Sequence, residues 1–490
     1  MQSIPIRNIR RKSRGHKTDT MVFSSTIFIF CFLPITLLLY YTAYALGKAK
    51  PANIVLLLAS MIFYAWGGTK YFLILLAVVA VNYVLTLLIE IMPKYRRSIF
   101  LLIMLIDIGN LLYFKYFNFF GDNVRTLATL IGINIPEAAS RIVLPIGISF
   151  YTFQIISYVA DVYMGRTKAQ KSFIKLALYV MMFPQLIAGP IVRYTDINNE
   201  MDARTISCGD IEYGIKRFII GFFKKVFIAN AAGGMADVMF SMPGDINMAY
   251  AWLGAVCYTL QIYYDFSAYS DMAIGLGRAF GFRFNENFDL PYTSCSIQEF
   301  WRRWHISLSS WFRDYVYIPL GGNRRGKLRT YINLGIVFFL TGFWHGAAWQ
   351  FIVWGLYHGA FLIMERLGLR KITDRMPKLL RHVYTMTVVI IGWVFFRADD
   401  LGTAIMYIKA MFSFDLGNFG MYSVLSQINA LFVICMAIGI IFSFTRFEGL
   451  KRFKIWNSSL CVNIRYLTLW IISVLYLVGL SYNPFIYFKF

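Results

Sequence analysis

The sequence predicts an all-α, polytopic integral membrane protein with about 10–13 membrane helices, some of them short or re-entrant. Composition is the first reason. Hydrophobic residues make up 58% of the 490 and charged residues 15%, with a mean hydropathy of +0.57. Soluble domains lie nearer to about 45–50% apolar and about 25% charged. The second reason is repetition: apolar runs of roughly 20 residues recur along the chain, each able to cross about 30 Å of hydrocarbon. The third is that a backbone in lipid must satisfy its own hydrogen bonds, which a helix does within one segment.

Residues 1–20 carry six Lys or Arg and one Asp with little apolar content. They read as a disordered basic arm, or as residues ahead of a translation start at Met21. No A-x-A-like cleavage site follows. Residues 21–490 read as a single transmembrane domain without internal repeats. Apolar runs fall at about 26–47, 52–66, 71–92, 98–120, 141–163, 173–192, 214–231, 249–276, 331–342, 347–367, 383–397, 427–445 and 463–485. The runs at 52–66, 331–342 and 383–397 are short for a span and are expected to be tilted, re-entrant or buried. The basic arm, Lys48/Lys50 and Lys94–Arg97 cannot all be cytoplasmic if every run between them crosses once. One run therefore re-enters, or the arm is a poor guide to orientation. Phe183-Pro184-Gln185-Leu186-Ile187-Ala188-Gly189-Pro190 puts two prolines and a glycine into one run, which predicts a broken helix of the kind tolerated where it lines a cavity.

The net charge is +23, carried by short loops between the apolar runs. This fits loops against anionic lipid on the cytoplasmic side; without a soluble basic domain it speaks against nucleic acid. Six scattered Cys show no C-x-x-C spacing, so neither a disulfide framework nor a metal site is expected.

The densest chemistry lies in Ser296–Gly359, which holds three of the five His. Ser296 and Glu299 form a capping-box start. The helix predicted to follow mixes Arg302, Arg303, His305, Arg313 and Asp314 with Trp301, Trp304, Trp311 and Phe312. Pro319 and Gly321-Gly322 end it, and a basic loop, Asn323 to Lys327, follows. Upstream, Asp265 and Asp271 sit inside an apolar run, where a carboxylate needs a partner or a cavity. The expectation is an ion pair with one of the arginines of 302–313, or a place along a substrate tunnel.

His345 lies between Trp344 and Gly346 in an apolar segment. A neutral imidazole is the natural base near pH 7, and Gly346 would leave room for a substrate. His358 follows 13 residues later, about 220° around a continuous helix, and reads as structural. His305, one turn from Trp301, is either catalytic or positions an acyl donor. No G-x-S-x-G elbow and no activated Cys competes for the role of nucleophile.

The stretches W-R-R-W-H-I-S-L-S-S-W-F-R-D-Y and F-W-H-G-A-A-W resemble the signature of the membrane-bound O-acyltransferases. G-G-N-R-R-G and the opening M-V-F-S-S at Met21–Ser25 are similar to the alginate O-acetylase branch. The resemblance implies a helical bundle around a central cavity in the cell (inner or plasma) membrane. It implies acetyl transfer to an exported polysaccharide, with no bound cofactor and acetyl-CoA as the cytosolic donor, through an extracytoplasmic SGNH-hydrolase-like partner. His345 and His305 are the catalytic candidates. Trp344, Arg313, Asp314, Asp265 and Asp271 are the substrate-binding ones. Two other readings are a D-alanyl transferase acting on teichoic acid and, from a different class, a glycan transporter or flippase.

Overall fold

A computed structural model describes residues 21–137, 140–187, 189–242, 246–415, 428–446, 454–479 and residue 486. The basic arm lies outside the described residues, among which there are helices and loops but no strand. The fold is all-α and multi-pass. Seven helices are long and apolar enough to cross a membrane: Phe28–Gly47, Ala49–Trp66, Thr69–Ile91, Pro93–Leu130, Cys208–Phe240, Lys378–Arg397 and Ser459–Gly479. Met248–Ala279, of 32 residues, is also long but carries buried polar side chains, among them Gln261, Asp265, Ser267, Ser270 and Asp271. The opening Met21–Ser25 packs into the core, where the Phe23 ring stacks on Tyr269 at 4.4 Å.

The three short apolar runs belong to helices longer than the runs themselves. They become Ala49–Trp66, Lys327–His345 and Lys378–Arg397, of 18, 19 and 20 residues. Apolar content undercounts them because long basic side chains such as Lys327, Arg329 and Arg381 occupy the first turns and reach toward the interface.

The run that does re-enter is 173–192. Its helix Phe173–Met181 stops at Met182, and a single turn, Phe183–Leu186, follows with Pro184 near its start. The chain then returns to the end it came from. Gln170 bonds Tyr194 at 2.6 Å and Lys175 pairs with Asp202, which ties the two legs together. The freed backbone groups find partners in the core: Phe183 N donates to Ser60 Oγ at 3.1 Å, and the Gln185 side chain bonds Tyr179 O. The break is therefore packed against other helices, and Ile187 lines a narrow apolar pocket with Phe63 and Tyr64.

A second dip starts from the same end, between Ala279 and Lys327. It inserts Asn287, Tyr292 and His305 among the helices, with Tyr292 donating to Thr259 O at 2.6 Å. The two dips meet where Ile191 N donates to Ser307 Oγ at 3.0 Å.

With both dips assigned, the loops sort into two groups. Lys48, Lys94–Arg97, Arg166–Lys171, Arg193–Arg204, Arg283, Arg324–Lys327, Arg366–Arg375 and Arg446 share one end. Bonds between the loops hold it together: Glu90 to Ala169 N, Arg193 to Asp314, Glu200 to Arg283 N and Arg370 to Gln298. At the other end, Arg125, Arg141 and Arg397 stand among Asp122, Glu137, Asp237 and Asp399. One end is strongly basic; the other is near balance.

Candidate active site

The helix Ile297–Arg303 starts as its sequence dictates. Ser296 Oγ accepts from Glu299 N at 3.0 Å. Glu299 returns to Cys295 N at 3.0 Å, one residue earlier than an ordinary capping box. The exposed N–H groups of Ile297 and Gln298 are taken by the Glu365 carboxylate at 2.7 and 3.1 Å. The helix was expected to run through Asp314, and it does not. Trp304 is extended and His305 is left-handed, at φ 45° and ψ 56°. The loop around Asn287 pulls the backbone out of helix: Asp289 N bonds Arg303 O, Ile306 N bonds Asn287 O, and Ser307 N bonds Asn287 Oδ1. Those bonds outweigh the roughly 1–2 kcal/mol that a left-handed L-residue costs. His305 is thus not on one helical face with Trp301.

The same loop orients the His305 ring. Ser307 N must donate, so the Asn287 atom it meets is the carbonyl oxygen, and that oxygen also lies 3.2 Å from His305 Nδ1. An amide oxygen only accepts, so Nδ1 carries the proton and Nε2 is left as an acceptor. The Asn287 Nδ2 group donates to Ser270 Oγ at 3.1 Å.

His345 is the last residue of Lys327–His345 and is 8% exposed. Three rings pack edge-on around it: Trp344 at 4.8 Å, Trp354 at 5.0 Å and Phe396 at 5.1 Å. The Trp344 indole touches both imidazoles, lying 6.4 Å from His305, so the two catalytic candidates share one buried aromatic wall. A Cβ on Gly346 would sit 2.2 Å from the Phe351 ring. Phe351 thus takes the place a side chain would occupy, so only a glycine fits here.

A cavity of about 320 Å³ opens beyond Gly346, at the end with balanced charge. Gly346, Ala347, Phe351 and Phe396 line it together with Lys115, Gln261, Gln350 and Arg397. Residues 297–345 were expected to converge on one cavity; His305 and His345 meet at the Trp344 wall, Arg313 and Asp314 stand at the basic end, and the cavity is lined by Phe114, Lys115, Tyr258 and Gln261 of earlier helices and by segments that follow His345.

The sequence profile of MBOAT, the membrane-bound O-acyltransferase family, matches residues 168–401. A probable alginate O-acetylase of Azotobacter vinelandii is 47% identical over 400 residues, 80% of this chain and 78% of its own length. Another, from Pseudomonas putida, is 42% identical over 496 residues, 96% of this chain and 100% of its own. A peptidoglycan O-acetyltransferase of Helicobacter pylori is 38% identical over 425 residues, 80% of each chain. The chain belongs to the membrane-bound O-acyltransferase family. It is an O-acyltransferase.

The remaining candidates of this acyltransferase fall away from the histidine pair. Asp265 pairs with Lys225 at 2.6 Å, and Asp271 with Arg217 and Lys224, both at 2.6 Å. Their cations come from the Cys208–Phe240 helix, not from the arginines of 302–313. Asp314 binds Arg193 at 2.8 Å and Arg313 at 2.6 Å at the basic end, where Arg313 is largely exposed. These four charged residues join helices and loops and do not face the cavity. His358 lies on a separate helix, Trp349–Met364, because the chain turns at Gly346–Ala348; a single continuous helix through 345 and 358 does not exist. It is fully buried against Trp301 and Trp354, and neither ring nitrogen has a hydrogen-bond partner among the described residues.

Two residues at the site were missed in the sequence. Asn287 had a signal only through the family resemblance, whose recognisable core includes Asn287-Phe288-Asp289-Leu290-Pro291-Tyr292; nothing in the stretch itself gave it a role. Lys115 had one: it is a lone cation in the apolar run 98–120, where an ionisable group calls for an explanation.

Proposed function

We propose that this acyltransferase moves acetyl groups from cytosolic acetyl-CoA toward an exported polysaccharide. The observation that carries the reading is the position of His345. It stands about 28 Å along a helix that starts at the basic end, at 1.5 Å per residue, and one residue from the cavity of the opposite end. Basic loops favour the cytoplasmic side, so the basic end is read as cytosolic and the cavity as facing out. The location in this reading is the cell membrane, where a protein serving an exported glycan would act. The names of the relatives support acetyl as the group and a cell-surface glycan as the acceptor class. An extracytoplasmic SGNH-hydrolase-like partner would carry the acetyl from the outer face to the sugar.

In this reading an acceptor hydroxyl enters from the cavity and its oxygen attacks the thioester carbonyl. His345 takes the hydroxyl proton as the C–O bond forms. The C–S bond breaks, the thiolate leaves with that proton, and the products are the acetyl ester and free CoA. His305, with Nε2 as an acceptor, and the Trp344 wall hold the donor end.

The test is polymer-bound acetyl per unit of membrane-inserted protein in His345→Ala. Loss of a general base costs about 10²- to 10⁴-fold, so product should fall at least a hundredfold while the protein still accumulates. Acetylation near the unsubstituted level would remove His345 from the mechanism.

A further inference from the structure

The last four carbonyls of an α-helix have no partner within it, and at the His345 end they point into low dielectric. Three of them are capped by two adjacent residues of another helix. Tyr116 OH donates to Phe343 O. The Lys115 ammonium donates to Trp344 O, to His345 O at 3.2 Å and to Ser149 Oγ at 3.1 Å, which uses all three of its N–H groups. Lys115 and Tyr116 close a π-turn, Leu112–Tyr116, inserted between two α-helical stretches. It is one of five π-turns among the described residues. Here the wider turn lets two consecutive side chains reach the same helix end. Lys115 is buried, pairs with no carboxylate among the described residues, and also lines the cavity. An ammonium at this depth is costly unless its contacts do something specific. A neutral donor would satisfy one carbonyl; the cation fixes two carbonyls and a hydroxyl at the point where the helix must stop and present its histidine.

We propose that Lys115 is a positioning residue of the acyl transfer. It pins the end of the Lys327–His345 helix and so sets where the His345 imidazole stands relative to the cavity. The inference rests on the function proposed above.

The experiment uses the full chain in lipid vesicles with acetyl-CoA as donor, and follows kcat, donor KM, and hydrogen–deuterium exchange of peptides covering 341–349. Lys115→Met should lower kcat about 100-fold, the effect of misplacing a reacting group by about 1 Å. Donor KM should stay within about threefold, and exchange in 341–349 should speed up about tenfold, since the helix end loses its tether. Lys115→Arg should restore kcat and exchange to within about fivefold, because a guanidinium can still donate to several oxygens. Unchanged kcat and exchange in Lys115→Met would overturn the proposal. So would a loss confined to KM, which would make Lys115 a binding group. If Lys115→Met does not accumulate, Ser149→Ala decides: removing one of the three acceptors should lower kcat about threefold to tenfold at normal accumulation, and no effect overturns the proposal. If the unsubstituted chain turns over no thioester, the function reading fails, and the exchange data judge the tether alone.

Discussion

Asp265→Asn tests whether the buried carboxylate builds the bundle or serves the substrate. The Asp265 and Lys225 side chains are 1% and 4% exposed, and their charges approach to 2.6 Å. Asp265 Oδ2 also accepts from Ile486 N at 2.9 Å. An Asn keeps the shape and can still accept from Ile486, so the change isolates the charge. It leaves the Lys225 ammonium buried and facing an amide. Breaking one side of a buried pair costs about 3–5 kcal/mol, a shift of roughly 10²- to 10⁴-fold in the folded fraction at 1.36 kcal/mol per decade. Most of that cost is the uncompensated buried charge, so removing the stranded ammonium as well, in Asp265→Asn with Lys225→Met, should recover at least half of the loss. The assay is thermal unfolding of purified protein in detergent, read as the monodisperse fraction after heating, for both single variants and the double. A single variant as stable as the unsubstituted chain but inactive would refute the reasoning and return Asp265 to the substrate.

Other outcomes follow from the same geometry. Gly355→Leu should destabilise by about 3 kcal/mol or more, since a Cβ there meets Phe338 O at 2.2 Å where the two helices touch, whereas Gly335→Ala, with open space around it, should be nearly silent; folded yield in detergent separates the two. Asn287→Ala strips the acceptor shared by His305 Nδ1, Ser307 N and Ser307 Oγ, so acyl transfer should fall at least about tenfold with about 1–3 kcal/mol of stability, measured by turnover and melting; Ser270→Ala should lose less on both counts. Asn323→Cys in the basic loop should react with a membrane-impermeant thiol reagent in inverted vesicles and not in intact cells; labelling in cells would reverse the orientation.

What could be read in the sequence was what is local. Ser296 and Glu299 lie three residues apart and announce their helix start, and His345 stands out because a histidine inside an apolar segment is rare and expensive. Pro184 and Pro190 marked the broken run without any partner in view. The partners themselves were not legible. Asp265 and Asp271 find cations about 40–55 residues upstream, on a face fixed by how Cys208–Phe240 packs along Met248–Ala279. The break at His305 comes from Asn287, whose carbonyl and amide compete with the helix for the same N–H groups; helix propensity of 297–314 contains no trace of it. Run lengths misled for a simple reason: Lys327 and Lys378 begin helices while scoring as loop.

The two dips also bear on how the protein is made. Hydropathy can place Phe28–Gly47 or Thr69–Ile91 in the bilayer as each leaves the ribosome. It cannot do so for 182–192 or 285–307, where the Phe183 and Ile191 N–H groups depend on Ser60 and Ser307, and the Tyr292 and Asn287 side chains on Thr259 and Ser270. Ile191 waits for a serine synthesised 116 residues later, and Trp311 donates to Phe153 O across 158 residues. The reactive centre therefore cannot form until Ser307 and the segments that pack on it have been made. A nascent chain stopped short of Ser307 would hold most of its spans and none of its catalytic geometry, and its unfilled core would be open to quality-control proteases.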